Sequence, residues 1–90
     1  AMNDTRLFPA DLSKEAIVEE LTKLRSATLL RGFRSTPALD IGAAAEIVAA
    51  LGQLIRSAPR IIEIDVNPVV LYAQGSGAVA LDALIVADDE

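Results

Sequence analysis

The chain has 90 residues and a net charge of −5; 52% of its residues are hydrophobic, whereas only 3% of all its residues are aromatic. It is long enough for one small domain with an aliphatic core, and its acidic balance disfavours nucleic acid as a partner. Because it contains neither cysteine nor histidine, disulfides, thiolate or imidazole metal sites and Ser-His or Cys-His catalysis are excluded.

No apolar run reaches the roughly 20 residues of a membrane span, and no signal-peptide pattern opens the chain. We therefore expect a cytoplasmic protein with no membrane partner. Residues 1–90 are interpreted as a single domain. Ala1 and Met2 are interpreted as a cloning remnant, and residues 88–90 as a frayed acidic tail.

The first half of the chain predicts a short extended segment and two helices. Residues 5–8 are predicted to be extended, and Pro9 keeps the residue before it, Phe8, out of the helical region. Ser13 is expected to cap a helix over residues 14–25 or 14–30.

Asp40 is expected to cap a second helix that ends at about Ser57, just before Pro59. This helix has one apolar face at helical spacing. The face consists of Ala44, Ile47, Val48, Leu51, Leu54 and Ile55.

The second half of the chain predicts two strands, one over residues 60–66 continued by 69–73 and one over residues 78–86, with a turn over residues 74–77. The fold class is therefore α+β. We expect a small antiparallel sheet of about three strands, in the order β-α-α-β-β along the chain, with two helices packed on one face.

The strand over residues 60–66 places polar side chains on one face, because successive strand residues point to opposite sides. Its apolar face is predicted to carry Ile62, Ile64 and Val66. Its polar face is predicted to carry Glu63, Asp65 and Asn67. A row of carboxylate and amide oxygens in an apolar segment suits a hard cation such as Mg²⁺.

Asp82 is a lone carboxylate in an apolar strand, which is costly unless the carboxylate is paired, coordinated or at the surface. A two-residue turn at Gln74-Gly75 would place Asn67 directly opposite Asp82. A four-residue turn over residues 74–77 would leave the two as diagonal neighbours. Pro68 cannot donate to a ladder, so the strand is expected to break or bulge there.

Each of these residues also has a simpler interpretation. Glu63 and Asp65 would be solvated carboxylates, and Asn67 a turn residue bonded to its own backbone. Asp82 would accept from a backbone amide or pair with Arg60. Only the joint pattern of Asp65, Asn67 and Asp82 favours a ligand set.

A second polar feature lies in the loop between the two helices. Arg31 and Arg34 flank a glycine there and could bind an anion. They could equally be solvated side chains near the end of a helix, where their charge favours the helix dipole.

The segments IIEIDVNPVVL and AVALDALIV resemble the C-terminal end of the ATP-grasp domain of NDP-forming (ADP-forming) acyl-CoA synthetases, which are related to succinyl-CoA synthetase β chains. The upstream segment LLRGFRSTPALD is similar to a loop motif of the same family. The resemblance runs from about Leu7 to Val86. It departs from the family at Ser35, where glycine is usual.

The resemblance implies that Asn67 and Asp82 hold the Mg²⁺ of Mg-ATP, or of another nucleoside triphosphate. Asp65 is then a neighbouring cofactor-binding residue, and Arg34 is predicted to contact the nucleotide. The family reaction joins an acid to CoA at the expense of a nucleoside triphosphate.

The resemblance also implies that this chain is one part of a ligase. The remaining domains, on the same or a separate chain, would bind the acid and CoA, and the isolated chain would be inactive. The alternative is a non-catalytic interaction or oligomerisation module derived from the same fold. In both cases an uncovered sheet is expected to make the isolated chain self-associate.

Overall fold

The computed structural model describes residues 7–23, 32 and 37–88. These residues form two helices followed by four short strands, which confirms the α+β class. The elements are α1 Lys14–Leu21, α2 Ile41–Ser57, β1 Ile61–Val66, β2 Val69–Leu71, β3 Ala78–Ala80 and β4 Ala83–Ala87.

Both helices begin at the predicted caps. The Ser13 hydroxyl accepts from the N–H of Ala16 at 3.1 Å, and the Asp40 carboxylate accepts from the N–H of Ala43 at 3.1 Å. The bounds of α2 are as predicted. However, α1 ends at Leu21 and residues 22–23 form a turn, whereas the helix was predicted to reach residue 25 or 30; residues 24–30 lie outside the described residues.

The early end of α1 has a local cause. The Thr22 hydroxyl donates to the carbonyl of Glu19 at 2.6 Å, a side-chain bond of the kind that competes with continued helix. Thr5 and Arg6 of the predicted extended segment, residues 5–8, lie outside the described residues. Leu7 and Phe8 have no regular secondary structure.

The core lies between the two helices and is built from small side chains. Ile17 of α1 and Ala44 and Ala45 of α2 are its buried hydrophobic residues within the described part of the chain. The predicted apolar face of α2 is shifted, because Leu54 is 42% exposed while Gly52 is buried. The shift follows from the close approach of the Ala10 backbone to Gly52, because a side chain would not fit between them.

The four strands form one long hairpin, residues 61–87, in which β1 pairs with β4 and β2 pairs with β3, both antiparallel. The sequence predicted two strands for this hairpin, residues 60–66 continued by 69–73 and residues 78–86, and the structure divides each of them into two. The interruption falls where Pro68, which has no N–H, faces Leu81. There the Leu81 N–H donates to the Pro68 carbonyl at 3.0 Å.

Pairing keeps the same register on both sides of the interruption. Val66 faces Ala83 before it and Val69 faces Ala80 after it. The turn is the two-residue loop Gln74-Gly75, closed by a bond of 2.8 Å from the Ser76 N–H to the Ala73 carbonyl. The structure therefore has the register predicted for a two-residue turn, in which Asn67 lies directly opposite Asp82.

One apolar residue of β1 departs from the predicted pattern. The register shifts between Ile61 and Glu63, so Ile62 is the extra residue of a bulge and is 62% exposed. It does not share a covered face with Ile64 and Val66, as the simple alternation had predicted.

Helix α2 packs against β1, β2 and β3. All five residues of β4 are exposed, which leaves one side of the long hairpin uncovered by the described residues. None of the described helices is both long enough and apolar enough to cross a membrane.

Gly52 offers a direct test of the helix packing. A Cβ built there would lie 2.4 Å from the Ala10 carbonyl oxygen, whereas at Gly42 the nearest atom would be 3.8 Å away. We expect Gly52→Ala to lower the free energy of unfolding by about 1–3 kcal/mol, although alanine is the better helix former. Urea unfolding followed by circular dichroism measures this change.

Gly42→Ala is the matched control, because it adds the same methyl group to the same helix where that group meets only an ordinary van der Waals contact with the Asp40 carboxylate. It should leave stability unchanged or raise it by up to about 1 kcal/mol. Equal effects of the two substitutions would contradict the packing of Gly52 on residue 10.

Candidate functional site

An open hollow of about 180 Å³ lies on the long hairpin where its ladder is interrupted. We call it the acidic hollow. Its lining residues are Asp65, Asn67, Asp82, Ala83 and Leu84. Three of these are the residues that the sequence pattern brought together as candidate ligands.

The hairpin register explains why these side chains meet. Asp65 faces Leu84 across the β1–β4 pair, and the Asn67 N–H donates to the Asp82 carbonyl at 3.0 Å. Directly opposed residues have Cβ atoms about 4.5–5.5 Å apart, and residues two apart share a face. Asp65, Asn67 and Asp82 therefore stand on one side of the hairpin.

The polar groups of the acidic hollow are largely free of partners in the described part of the chain. One Asp82 carboxylate oxygen accepts from the Ala83 N–H at 2.9 Å. The side chains of Asp65 and Asn67 make no hydrogen bond or ion pair with any described residue. All three residues are exposed, so their oxygens are accessible to a ligand.

The competing interpretations of the nearby charges are also resolved. Arg60 does not pair with Asp82; its Nε donates to the Asp88 carbonyl at 2.8 Å. Glu63 faces Val86 and does not line the acidic hollow, which fits the interpretation as a solvated residue. Asp88, predicted to be frayed, is held by that contact, and its N–H donates to the Arg60 carbonyl.

Two residues of the loop motif cannot be placed. Arg31 and Arg34 lie outside the described residues, so the predicted nucleotide contact of Arg34 stays a prediction. Conversely, Ala83 and Leu84 line the acidic hollow although the sequence analysis did not single them out. Strand alternation from Asp82 would have found Leu84, which is two residues further on.

The donor set of the acidic hollow fits an incompletely coordinated magnesium ion. Two carboxylates and one amide are oxygen donors, and neither the acidic hollow nor any other part of the described chain gathers three or more acidic, histidine or cysteine residues that could hold a metal by themselves. Mg²⁺ typically keeps several waters and is bound through one or two carboxylates together with substrate phosphates. The acidic hollow matches this description, because it is open and offers oxygens from only three side chains.

Asp40 makes a second set of contacts that the sequence analysis missed. Besides capping α2, its other carboxylate oxygen accepts from the N–H groups of Gly77 at 2.8 Å and Gly75 at 3.0 Å. The hydrogen bonds from Gly77 and then Ala43 lower the pKa of Asp40 below its ordinary value of 3.8, with smaller help from Gly75 and Lys14.

The fold and the acidic hollow define a small α+β domain that exposes side-chain oxygens on a hairpin. The family model of the ATP-grasp domain matches residues 1–87, and the chain belongs to that family. The family resemblance drawn from the hairpin motifs is thereby confirmed.

The curated relatives are acyl-CoA synthetases. Trans-feruloyl-CoA synthase, from an unknown prokaryotic organism, is 38% identical over 87 residues, which are 97% of this chain and 12% of that protein. The β subunit of ADP-forming acetate–CoA ligase I from Pyrococcus furiosus is 31% identical over 85 residues, which are 94% of this chain and 36% of the subunit.

Solved structures agree with these relatives. The dinucleotide forming acetyl-coenzyme A synthetase 1 of Ca. Korarchaeum cryptofilum, in its apo form, superposes with a TM-score of 0.73 at 29% identity, over 91% of this chain and 37% of that one. PH1788 from Pyrococcus horikoshii gives a TM-score of 0.78 at 26% identity, over 94% and 35% of the two chains. The chain thus spans about a third or less of the proteins it matches.

The lowered pKa of Asp40 predicts acid sensitivity. A depressed folded-state pKa gives stability that is complete above the ordinary value of 3.8 and is lost as the pH falls below 3.8 through the folded-state pKa. The free energy of unfolding should therefore fall over this range in the unsubstituted protein. Asp40→Asn, which cannot ionise, should lack this part of the fall.

Urea unfolding at a series of pH values measures both proteins. We expect Asp40→Asn to be the less stable protein at neutral pH and the difference to shrink as the solution is acidified. A difference that stays constant from neutral pH to below 3.8 would contradict the role of the ionised carboxylate.

Proposed function

We propose that this chain supplies ligands for the magnesium ion of a bound nucleoside triphosphate in an ADP-forming acyl-CoA synthetase. Asn67 and Asp82 are the proposed metal ligands, and Asp65 is a neighbouring group that binds the cation or its waters. The observation that carries the proposal is the acidic hollow, where these three exposed side chains line one opening and only one Asp82 oxygen accepts a hydrogen bond from the described residues.

The charge of the acidic hollow supports a metal-bridged nucleotide. Two carboxylates repel the anionic phosphates of a triphosphate, so a divalent cation between them is required for favourable binding. When bound, Mg²⁺ neutralises charge on the phosphoryl group that is transferred. In this chain the Asn67 and Asp82 oxygens would position the cation, and Arg34 is the proposed contact to a phosphate.

Other parts of the enzyme have to complete the site. The acidic hollow is open, and the relatives contain about two thirds or more of their length beyond the matched region. We propose that the remaining domains, on the same or a separate chain, provide the nucleotide-base pocket, the acid site and the CoA site. The isolated chain would then be inactive, and the complete enzyme would act in the cytoplasm, where its CoA and nucleotide substrates are found.

Titration calorimetry with Mg-ATP on the complete enzyme tests the metal role. Asn67→Ala and Asp82→Ala should each weaken binding by about tenfold or more, because each removes an oxygen ligand from an ion with few protein ligands. Glu63→Ala is the control. It removes a carboxylate from the same strand but outside the acidic hollow, and it should leave binding unchanged.

Equal weakening in all three variants would indicate a general disturbance of the hairpin rather than loss of metal ligands, and would contradict the proposal. Unchanged binding in Asn67→Ala and Asp82→Ala would contradict the proposal directly.

A second function is favoured by a separate observation, the exposure of β4. Its residues Leu84, Ile85 and Val86 are 63%, 51% and 38% exposed, and β4 pairs on one side only in the described part of the chain. An apolar edge strand of this kind is a template for pairing with another strand. We propose that the isolated chain self-associates through β4, as an interaction module would.

Sedimentation equilibrium of the isolated chain tests self-association. The average mass should rise with concentration in the unsubstituted chain and stay monomeric in Ile85→Lys, since a charged edge residue opposes strand pairing. Leu54→Lys is the control, because Leu54 is an exposed apolar residue on α2 at 42% exposure. A concentration-independent mass for the unsubstituted chain would contradict this second function.

A further inference from the structure

We propose that Asp40 is a positioning residue that sets the register of the long hairpin and thereby holds Asn67 directly opposite Asp82. The register claim rests on the hydrogen bonds and strand pairing alone. Its consequence for cation binding also rests on the proposed function of the acidic hollow.

Asp40 is the described residue whose side chain joins α2 to the returning strand of the hairpin. The main-chain bonds of this segment reach only the outgoing side: the Asp40 N–H donates to the Tyr72 carbonyl at 2.8 Å, and the Gln74 N–H to the Ala38 carbonyl at 2.9 Å. The Asp40 carboxylate reaches past the turn and accepts from Gly77 at 2.8 Å. It therefore fixes the returning strand relative to the outgoing one.

The sequence of the turn does not fix the register by itself. Gly75 and Gly77 both have positive φ, 89° and 93°, and both tolerate it because they are glycines. A loop of four residues, 74–77, would be equally compatible with this composition. It would shift the pairing by two residues, so that Asn67 faced Leu84 instead of Asp82.

The strands do not fix the register either. A shift of one residue would exchange the faces of a strand, but a shift of two keeps each side chain on the same face. The β2–β3 arm is apolar throughout, with Val69, Val70 and Leu71 facing Ala80, Val79 and Ala78. Hydrophobic burial is therefore similar in the two registers. The hydrogen bonds of Asp40 with the turn favour the observed one.

The register determines how far apart the side chains of Asn67 and Asp82 lie in the acidic hollow. Directly opposed residues have Cβ atoms about 4.5–5.5 Å apart, whereas diagonal neighbours lie about 7–8 Å apart. Mg²⁺ holds its oxygen ligands at about 2.0–2.1 Å, so two ligands must lie within roughly 4 Å of each other. The observed register meets this requirement more readily than the shifted one.

Disulfide trapping tests the register without any cation, because the chain contains no cysteine. Leu71→Cys with Ala78→Cys reports the observed register, in which the two residues face each other. Leu71→Cys with Ala80→Cys reports the shifted register, because in the observed one these residues are diagonal neighbours, too far apart for a favourable disulfide. Each pair is made in the unsubstituted background and with Asp40→Ser or Asp40→Asn.

Serine and asparagine both cap helices well, so either substitution keeps α2 while removing an acceptor for the turn. We expect the 71–78 disulfide to dominate with Asp40 and the 71–80 disulfide to become a major product without it. Persistence of the 71–78 disulfide alone in both Asp40 variants would overturn the proposal.

Binding of Mn²⁺ alone, followed by electron paramagnetic resonance, tests the consequence for the site. Asp40→Ser should weaken binding by about tenfold, as expected when a residue that orients metal ligands is lost. Ser13→Ala is the control, because it removes the corresponding cap of α1 and destabilises the chain far from the hairpin turn. It should leave Mn²⁺ affinity unchanged.

The two proposals fail differently. No Mn²⁺ binding to the unsubstituted chain, together with a shifted disulfide pattern in the Asp40 variants, would overturn the metal role and uphold the register role. Equal Mn²⁺ affinity of the unsubstituted chain and Asp40→Ser would overturn the positioning role and uphold the metal site.

Discussion

The long hairpin keeps one pairing register through a break in its ladder, and the candidate site depends on this constraint. Pro68 removes a donor from the ladder, yet Val66–Ala83 and Val69–Ala80 remain in register on either side. Insertion or deletion of one residue in either strand would turn the side chain of Asn67 or of Asp82 to the opposite face of the hairpin. Two flanking ladders, together with the Asn67–Asp82 and Leu81–Pro68 main-chain hydrogen bonds, therefore hold the interrupted stretch in place.

The break also explains why polar side chains can sit within an apolar hairpin. Residues 67–68 and 81–82 belong to no strand, so local backbone bonds are few and the side chains lie at the surface. Exposure avoids the cost of burying an unpaired carboxylate, which is why Asp65 and Asp82 can lie close together. The same exposure means that the hollow becomes a low-dielectric site only when another surface covers it.

Local signals in the sequence predicted the parts of the fold that local interactions determine. Asp40 as a cap and the bounds of α2 follow from one carboxylate and one following proline, and the structure has both. The alternation of Glu63, Asp65 and Asn67 predicted the polar face, but the bulge at Ile62 did not show in that pattern. A bulge depends on the partner strand, which alternation along a single strand does not describe.

The contacts that were not predictable join residues far apart in the chain. Asp40 and Gly77 are 37 positions apart, and the capping motif accounts for only one of the two carboxylate oxygens. The sequence left two hairpin registers open because its turn and its apolar strands fit both. Choosing between them required a third element, the start of α2, and so the position of the candidate ligands is a tertiary property of the domain rather than a property of the motif that contains them.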